Sequence, residues 1–227
     1  MIDSIKKSSL EFFNTNGLPS KKLENWKFTS SKNFKNFNKS LSSDKVEKIE
    51  SDELSIVFIN GVLNKDSLEN FKFADLIEVK NLNELTKKEL LYFSESYLNE
   101  SMFNLGVSEF ENGSYISFKE NSVIEEVINI KNYFFENGQN ERVSSFNIFH
   151  INEGSEISII EEDIKENFSI FNLKLNKFIC ENSSIFKHGK SYNDDSQTHS
   201  LSYNYYQIEQ DVALNVDSMV KSSFFNK

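Results

Sequence analysis

His150, His188 and His199, with the lone Cys180, are the residues best suited to hold a transition metal. A zinc site needs three or four such donors converging, with at least one closely spaced pair. Cys180 and His188 are the nearest pair in sequence, separated by a turn-like stretch that would set them on adjacent coils of a repetitive fold. The alternative is that Cys180 packs as a small hydrophobe on Phe178-Ile179-Cys180, as unpaired cysteines commonly do. His188, beside Gly189-Lys190, then reads as surface, so no metal ligand is assigned. Acids cluster at Glu161-Glu162-Asp163 and Asp194-Asp195. Such pairs invite glycosidase or calcium chemistry, but neither sits in a glycine-bearing ligand loop, and both are expected as solvated turns. Tyr203, Tyr205 and Tyr206 with Phe146 and Phe149 could form a carbohydrate platform; on alternating strands they read better as core ladder stacking. The chain has only seven glycines, with no phosphate-binding Gly-x-x-x-x-Gly-Lys and no serine nucleophile elbow. No catalytic and no cofactor-binding residue is assigned.

The elements that would position these groups fall into two parts. Asp3 or Ser4 can cap a helix carrying Ile5, Leu10, Phe12 and Phe13 that ends near Gly17. Leu54 to Ile59 is an apolar run stopped by Asn60-Gly61, a strand and hairpin signal. Thr86-Lys87-Lys88-Glu89 is a capping box, predicting a helix over 87–98. Beyond Phe103 the period becomes two. Short alternating segments begin at Tyr115, Val123, Val143, Glu156, Phe168 and Leu201, with polar turns and no helical crossovers between them. The turns resemble one another: Glu111-Asn112-Gly113-Ser114, Glu120-Asn121-Ser122, Asn152-Glu153-Gly154-Ser155 and Glu181-Asn182-Ser183-Ser184. Ser122, Ser155 and Ser184 recur about every 30 residues, which favours coils of a β-solenoid over a β-sandwich.

Composition narrows the function classes. At 227 residues with 38% apolar and 26% charged side chains, the chain can bury a sizeable core. Its net charge of −10 argues against nucleic acid and anionic membrane surfaces. No stretch reaches the roughly 18 apolar residues that span a bilayer, and Met-Ile-Asp-Ser-Ile-Lys-Lys lacks a signal peptide's apolar core. A cytoplasmic protein is expected.

Gly17 to Thr29 reads Gly-Leu-Pro-Ser-Lys-Lys-Leu-Glu-Asn-Trp-Lys-Phe-Thr and contains the only proline and the only tryptophan of the chain. Physically, Pro19-Ser20 is a stop-and-start signal, with fixed φ and a capping hydroxyl, and Trp26 is a large apolar anchor. The string resembles the N-terminal signature of the SufD family, scaffold subunits of the SUF iron–sulfur cluster assembly machinery. Pro19, Ser20, Lys21, Lys22, Glu24, Trp26, Lys27, Phe28 and Thr29 fit the family pattern, while Asn25 stands where an acid is usual. Ile56 to Gly61 is similar to the family's short strand ending in Asn-Gly. Glu111 to Ile130 is similar to its entry into the β-helix, and Asn152 to Glu161 and Glu181-Asn182-Ser183 to its rungs.

The resemblance implies a mainly β protein with an N-terminal α/β region and a right-handed parallel β-helix, a β-solenoid truncated at its C-terminus. Residues 1–102 would form the N-terminal domain and 103–227 the first coils. Pro19, Ser20, Lys22, Glu24, Trp26, Lys27, Asn60 and Gly61 would be signature residues of structural rather than catalytic role. The implied function is a non-catalytic scaffold acting with SufB and SufC. The chain alone would bind no cofactor; an iron–sulfur cluster and a reduced flavin are implicated in the family's assembled complex. Family members continue through further coils to a helical domain that docks SufC, whereas this sequence stops at Lys227. A solenoid cut between coils exposes unpaired strand edges, so self-association through that end is expected. Light scattering should find oligomers, and a sharp monodisperse monomer would count against it. The alternatives are a secreted-type solenoid that binds or cleaves carbohydrate, and a vestigial fragment.

Overall fold

In the computed structural model the described residues are 2–27, 31–39, 49, 51–86, 99–135, 140–165, 169–194, 198–222 and 225–226. Helix α1 (Ile2–Asn16) leads through two 3₁₀ turns, Glu24–Trp26 and Lys32–Asn36, to strands β1 (Asn38–Lys39), β2 (Ser55–Ile59) and β3 (Val62–Leu63). Helix α2 (Asp66–Glu69), strand β4 (Ile77–Asn81) and helix α3 (Ser101–Glu109) follow. Then come β5 (Ser114–Phe118), β6 (Ile128–Phe134), β7 (Glu141–Ile151), β8 (Glu156–Lys165), β9 (Ile170–Cys180), β10 (Ile185–Asp194), β11 (Thr198–Ile208), β12 (Ala213–Ser222) and β13 (Phe225–Asn226).

From β5 onward successive strands alternate between two sheets. One sheet runs β13-β11-β9-β7-β5-β4, with β1 also on β7, and the other β12-β10-β8-β6-β2-β3. Pairing is parallel from coil to coil, and each sheet is closed at one end by an antiparallel strand, β4 on β5 and β3 on β2. The fold is a β-solenoid, as the two-residue period and repeating turns predicted. The division expected at 102/103 falls inside α3, and strands from before it belong to both sheets.

The recurrent turns explain how the coils stack. Asn121, Gly154, Ser183 and Asp211 have φ of +58, +67, +58 and +57°, the left-handed region that Asn, Asp and Gly enter most easily. There the backbone N–H points along the solenoid axis. Asn121 donates to the Glu153 carbonyl at 2.9 Å, Gly154 to Asn182 at 3.1 Å and Ser183 to Gln210 at 3.1 Å. The ladder of the sheets thus continues through the corners. Glu111-Asn112-Gly113-Ser114 is different: it joins α3 to β5, and the Gly113 carbonyl accepts from the Leu82 N–H. The segment from Val123 also differs. Val123 makes only an isolated bridge to Glu156, and the strand starts at Ile128.

Two large apolar cores result, with a third small cluster of Phe134, Val143 and Ile170 among the described residues. Inside the solenoid, Ile116, Phe149, Phe178 and Tyr206 stand in register on four successive strands. Phe149 stacks on Phe178 at 5.2 Å and Phe178 on Tyr206 at 5.0 Å. Outside the first sheet, α3 lies on β7 and β9, and α1 packs on α3. Met102, Phe103 and Leu105 of α3 are buried with Ile148, Leu173 and Leu175 of the sheet.

The hairpin at Asn60-Gly61 is the two-residue turn predicted, with φ of +44 and +80° between Ile59 and its partner Val62. A Cβ on Gly61 would stand 3.0 Å from Cβ of Ser145. Gly61→Ala is therefore expected to destabilise the fold by about 1–2 kcal/mol, the left-handed penalty for a residue with a Cβ. A urea midpoint unchanged from wild type would refute it. The helix predicted over 87–98 lies outside the described residues.

Candidate functional site

The solenoid interior holds a polar region beside its apolar ladder, and this follows strand by strand. The inward positions of β9 are Ile170, Asn172, Lys174, Asn176, Phe178 and Cys180, so an apolar series is interrupted by three polar residues. Asn176 is in register with Asn147 on β7 and Asn204 on β11, and its Nδ2 donates to Asn204 Oδ1 at 3.2 Å. From the opposite sheet β8 presents Ile157 and Ile159, then Glu161 and Asp163. β10 adds His188 beside Ile159, and β6 adds Asn132 beside Asp163.

The acids of Glu161-Glu162-Asp163 are therefore not a solvated turn. β8 runs through them, Glu161 and Asp163 are 2% and 6% exposed, and only Glu162 faces water. Asp163 accepts from Asn132 Nδ2 at 3.1 Å, Asn172 Nδ2 at 3.0 Å and Lys174 Nζ at 2.8 Å. Glu161 accepts from Asn176 Nδ2 at 3.1 Å, lies 3.5 Å from Lys174 Nζ, and is 2.7 Å from His188 Nε2. His188, expected on the surface, is 1% exposed. Its Nδ1 is 2.7 Å from the Tyr206 hydroxyl. Since a carboxylate can only accept, His188 donates from Nε2 to Glu161, and its Nδ1 meets the Tyr206 hydroxyl. The order is thus Tyr206 to His188 to Glu161, and the same order recurs on the outer face. There Tyr115 lies 2.6 Å from His150 Nδ1, and His150 Nε2 lies 2.9 Å from Glu181.

Burial by itself would raise the Glu161 carboxyl. The Lys174 charge, the hydrogen bond and charge of His188, and the Lys190 charge outweigh it and hold the group at about 2, against an ordinary 4.5. A depressed acid stabilises the fold fully above its unfolded-state value and loses that contribution as pH falls through its folded-state value. The urea midpoint is expected to fall from pH 4.5 toward pH 2. Glu161→Gln should flatten that limb, and a variant as acid-sensitive as wild type would refute the assignment.

The soft ligands do not come together. Cys180 sits in the apolar part of the interior, and burial pushes its thiol up to about 12. His188 is in the polar region, while His199 is buried against Phe34 and Phe37 outside the first sheet. Among the described residues no group of three or more His, Cys, Asp or Glu is placed to hold a metal ion. The aromatic residues divide as well. Phe149 and Tyr206 belong to the interior ladder, whereas Phe146 meets Phe110 and Tyr203 meets Phe103 on the helical side. They form no shared platform. Asp194 ends β10, and Asp195 lies outside the described residues.

The signature residues serve two local purposes. Pro19 is buried, and its carbonyl accepts from Ser31 Oγ at 2.6 Å. Trp26 is 1% exposed and meets Phe34 edge-on at 6.1 Å, and Phe34 stacks on Phe171 of β9 at 4.5 Å. The 3₁₀ segments are thereby pinned to the outside of the solenoid. Ser20, Lys22, Glu24 and Lys27 are exposed, and Ser20 and Glu24 border a cavity of about 420 Å³ with Leu23 and Glu100. Phe28 and Thr29 lie outside the described residues. The Asn60 side chain brackets Phe135, accepting from its N–H at 2.9 Å and donating to its carbonyl at 3.3 Å, just beyond β6.

Sequence reasoning missed the polar interior, although a signal for it existed. In Ile157-x-Ile159-x-Glu161-x-Asp163 and Asn172-x-Lys174-x-Asn176-x-Phe178 the polar residues share the parity of the core residues. No protein-family model matches this chain, and no curated protein matches it.

Proposed function

We propose that this protein is a SufD-like, non-catalytic scaffold that works with SufB and SufC in iron–sulfur cluster assembly. The observation that carries the reading is the ordered string Pro19-Ser20-Lys21-Lys22, Glu24, Trp26-Lys27 placed ahead of a β-solenoid. Packing accounts for Pro19 and Trp26, which are buried. Ser20, Lys22 and Glu24 are exposed, on the face where a partner could meet them. On this reading the iron–sulfur cluster and reduced flavin belong to the assembled complex, and the chain alone carries neither. A cytoplasmic setting fits that role, as does a net charge of −10, which disfavours nucleic acid. Among the described residues no helix is long and apolar enough to cross a membrane.

The test is affinity purification of the tagged protein from the cells that make it. Recovery of SufB and SufC is the expected result. Recovery of neither, with the tagged protein soluble and folded, overturns the proposal.

A further inference from the structure

Lys174 and Asp163 face each other across the solenoid interior, one on each sheet, with Nζ 2.8 Å from Oδ1. Their side chains are 3% and 1% exposed, and that of Glu161, 3.5 Å from the same nitrogen, is 3% exposed. The other close lysine–carboxylate pairs among the described residues are wet. Lys131 and Asp52, at 2.6 Å, are 21% and 49% exposed, and Lys72 and Glu126 are about as open. The interior pair therefore differs in what surrounds it rather than in how close it is.

We propose that Lys174 and Asp163 become joined by an intramolecular amide bond that staples the two sheets through the interior. Three features support the step. The reacting groups are held in contact, Nζ 2.8 Å from Oδ1, which gives a tethered pair a large effective concentration. The pair is shielded from bulk solvent, its side chains 3% and 1% exposed, so the amide once formed is protected from hydrolysis. Asp163 also has two amide donors already in place, Asn132 on Oδ1 at 3.1 Å and Asn172 on Oδ2 at 3.0 Å. These polarise the carboxyl group and receive the negative charge that develops as its carbon becomes tetrahedral.

Ammonium plus carboxylate gives amide plus water. Two protons leave Lys174 Nζ and one oxygen leaves Asp163, the third proton stays on the amide nitrogen, and no electrons are transferred. The bond formed is Nζ–Cγ and the bond broken is Cγ–O. Both protons that leave Nζ end on the departing oxygen, the Nζ–Oδ1 contact at 2.8 Å being the direct route, and the Glu161 carboxylate, 3.5 Å from Nζ, positions the nitrogen from the other side. Asn176 and His188 hold Glu161 in place for this. Joining the pair also removes two buried charges from the interior. The Lys174 charge then no longer lowers Glu161, which leaves His188 and Lys190 to do so and makes the acid limb shallower in the joined chain.

Intact-mass measurement of the whole purified chain, denatured before injection, tests the proposal. The expected mass is lower than that of the sequence by one water. Tryptic digestion should give a branched peptide in which 143–165 is joined to 166–177, with Lys174 uncleaved. Full mass in a chain that is folded by circular dichroism overturns the proposal, and so does a lost water that maps to other residues. Loss of ammonia instead of water would mark succinimide at an Asn-Gly such as Asn60-Gly61, and counts as full mass at Lys174. Lys174→Arg must abolish the deficit. Glu161→Gln keeps both reacting groups, and a folded Glu161→Gln chain that joins as completely as wild type removes Glu161 from the reaction.

Discussion

Lys174→Met is expected to destabilise the fold by about 3–5 kcal/mol, because it leaves two buried carboxylates facing a thioether. Lys174 Nζ reaches Asp163 at 2.8 Å and Glu161 at 3.5 Å in a region where all three side chains are at most 3% exposed. The variant strands Asp163 and Glu161 whether the wild-type pair is ionic or joined, and in the joined case it loses the staple as well, which adds to the cost. Breaking a buried pair differs from replacing it whole. Lys174→Met combined with Asp163→Asn and Glu161→Gln is expected to recover the part of the loss that comes from the stranded carboxylates, as neutral polar groups tolerate burial far better than unpaired charges. Lys187→Met is the surface control. Lys187 stands 3.7 Å from Glu156, with the two side chains 56% and 41% exposed, and its loss should stay within about 0.5 kcal/mol. Urea midpoints at constant slope measure all three. A Lys174→Met chain as stable as the Lys187→Met control would show that the interior network is not what holds β8 to β9.

The second large effect is at the signature. Trp26→Ala is expected to cost about 3–5 kcal/mol, the usual range for removing a fully buried large aromatic side chain. Trp26 is the first member of a relay that passes through Phe34 to Phe171 on β9, so the cavity opens between the 3₁₀ segments and the solenoid. Circular dichroism should retain the strand signal in the variant at low denaturant while its midpoint falls. Trp26→Phe keeps an aromatic edge toward Phe34 and should cost clearly less. Since Trp26 is the only tryptophan, wild-type fluorescence reports this site alone, and its emission should move to the red on unfolding. Equal stability of Trp26→Ala and wild type would mean that the signature is not anchored through this residue.

Much of the architecture was legible in residue order. Asn60-Gly61 after an apolar run predicted a two-residue hairpin because both positions need positive φ, and the structure has it. Gly17, at φ +65°, ends α1 with its N–H on the Phe13 carbonyl, as a glycine after a helix should. The turns at Ser122, Ser155 and Ser184 predicted coils, because a residue set that recurs with its turn chemistry must occupy the same corner of each. Cys180 read correctly as a buried apolar residue.

The failures share one cause. Glu161, Asp163 and His188 were assigned to the surface because polar residues ordinarily are, and composition says nothing about which strand will face them. Their partners Asn132, Lys174, Asn176 and Tyr206 come from three other strands, up to 31 residues away in sequence. Local pattern determined strand, turn and coil in this protein, because those depend on backbone conformations that neighbouring residues select. Which polar side chains are buried, paired and able to react was decided only when the two sheets closed on each other, because a charge is stable in the interior only where a partner arrives from the opposite wall.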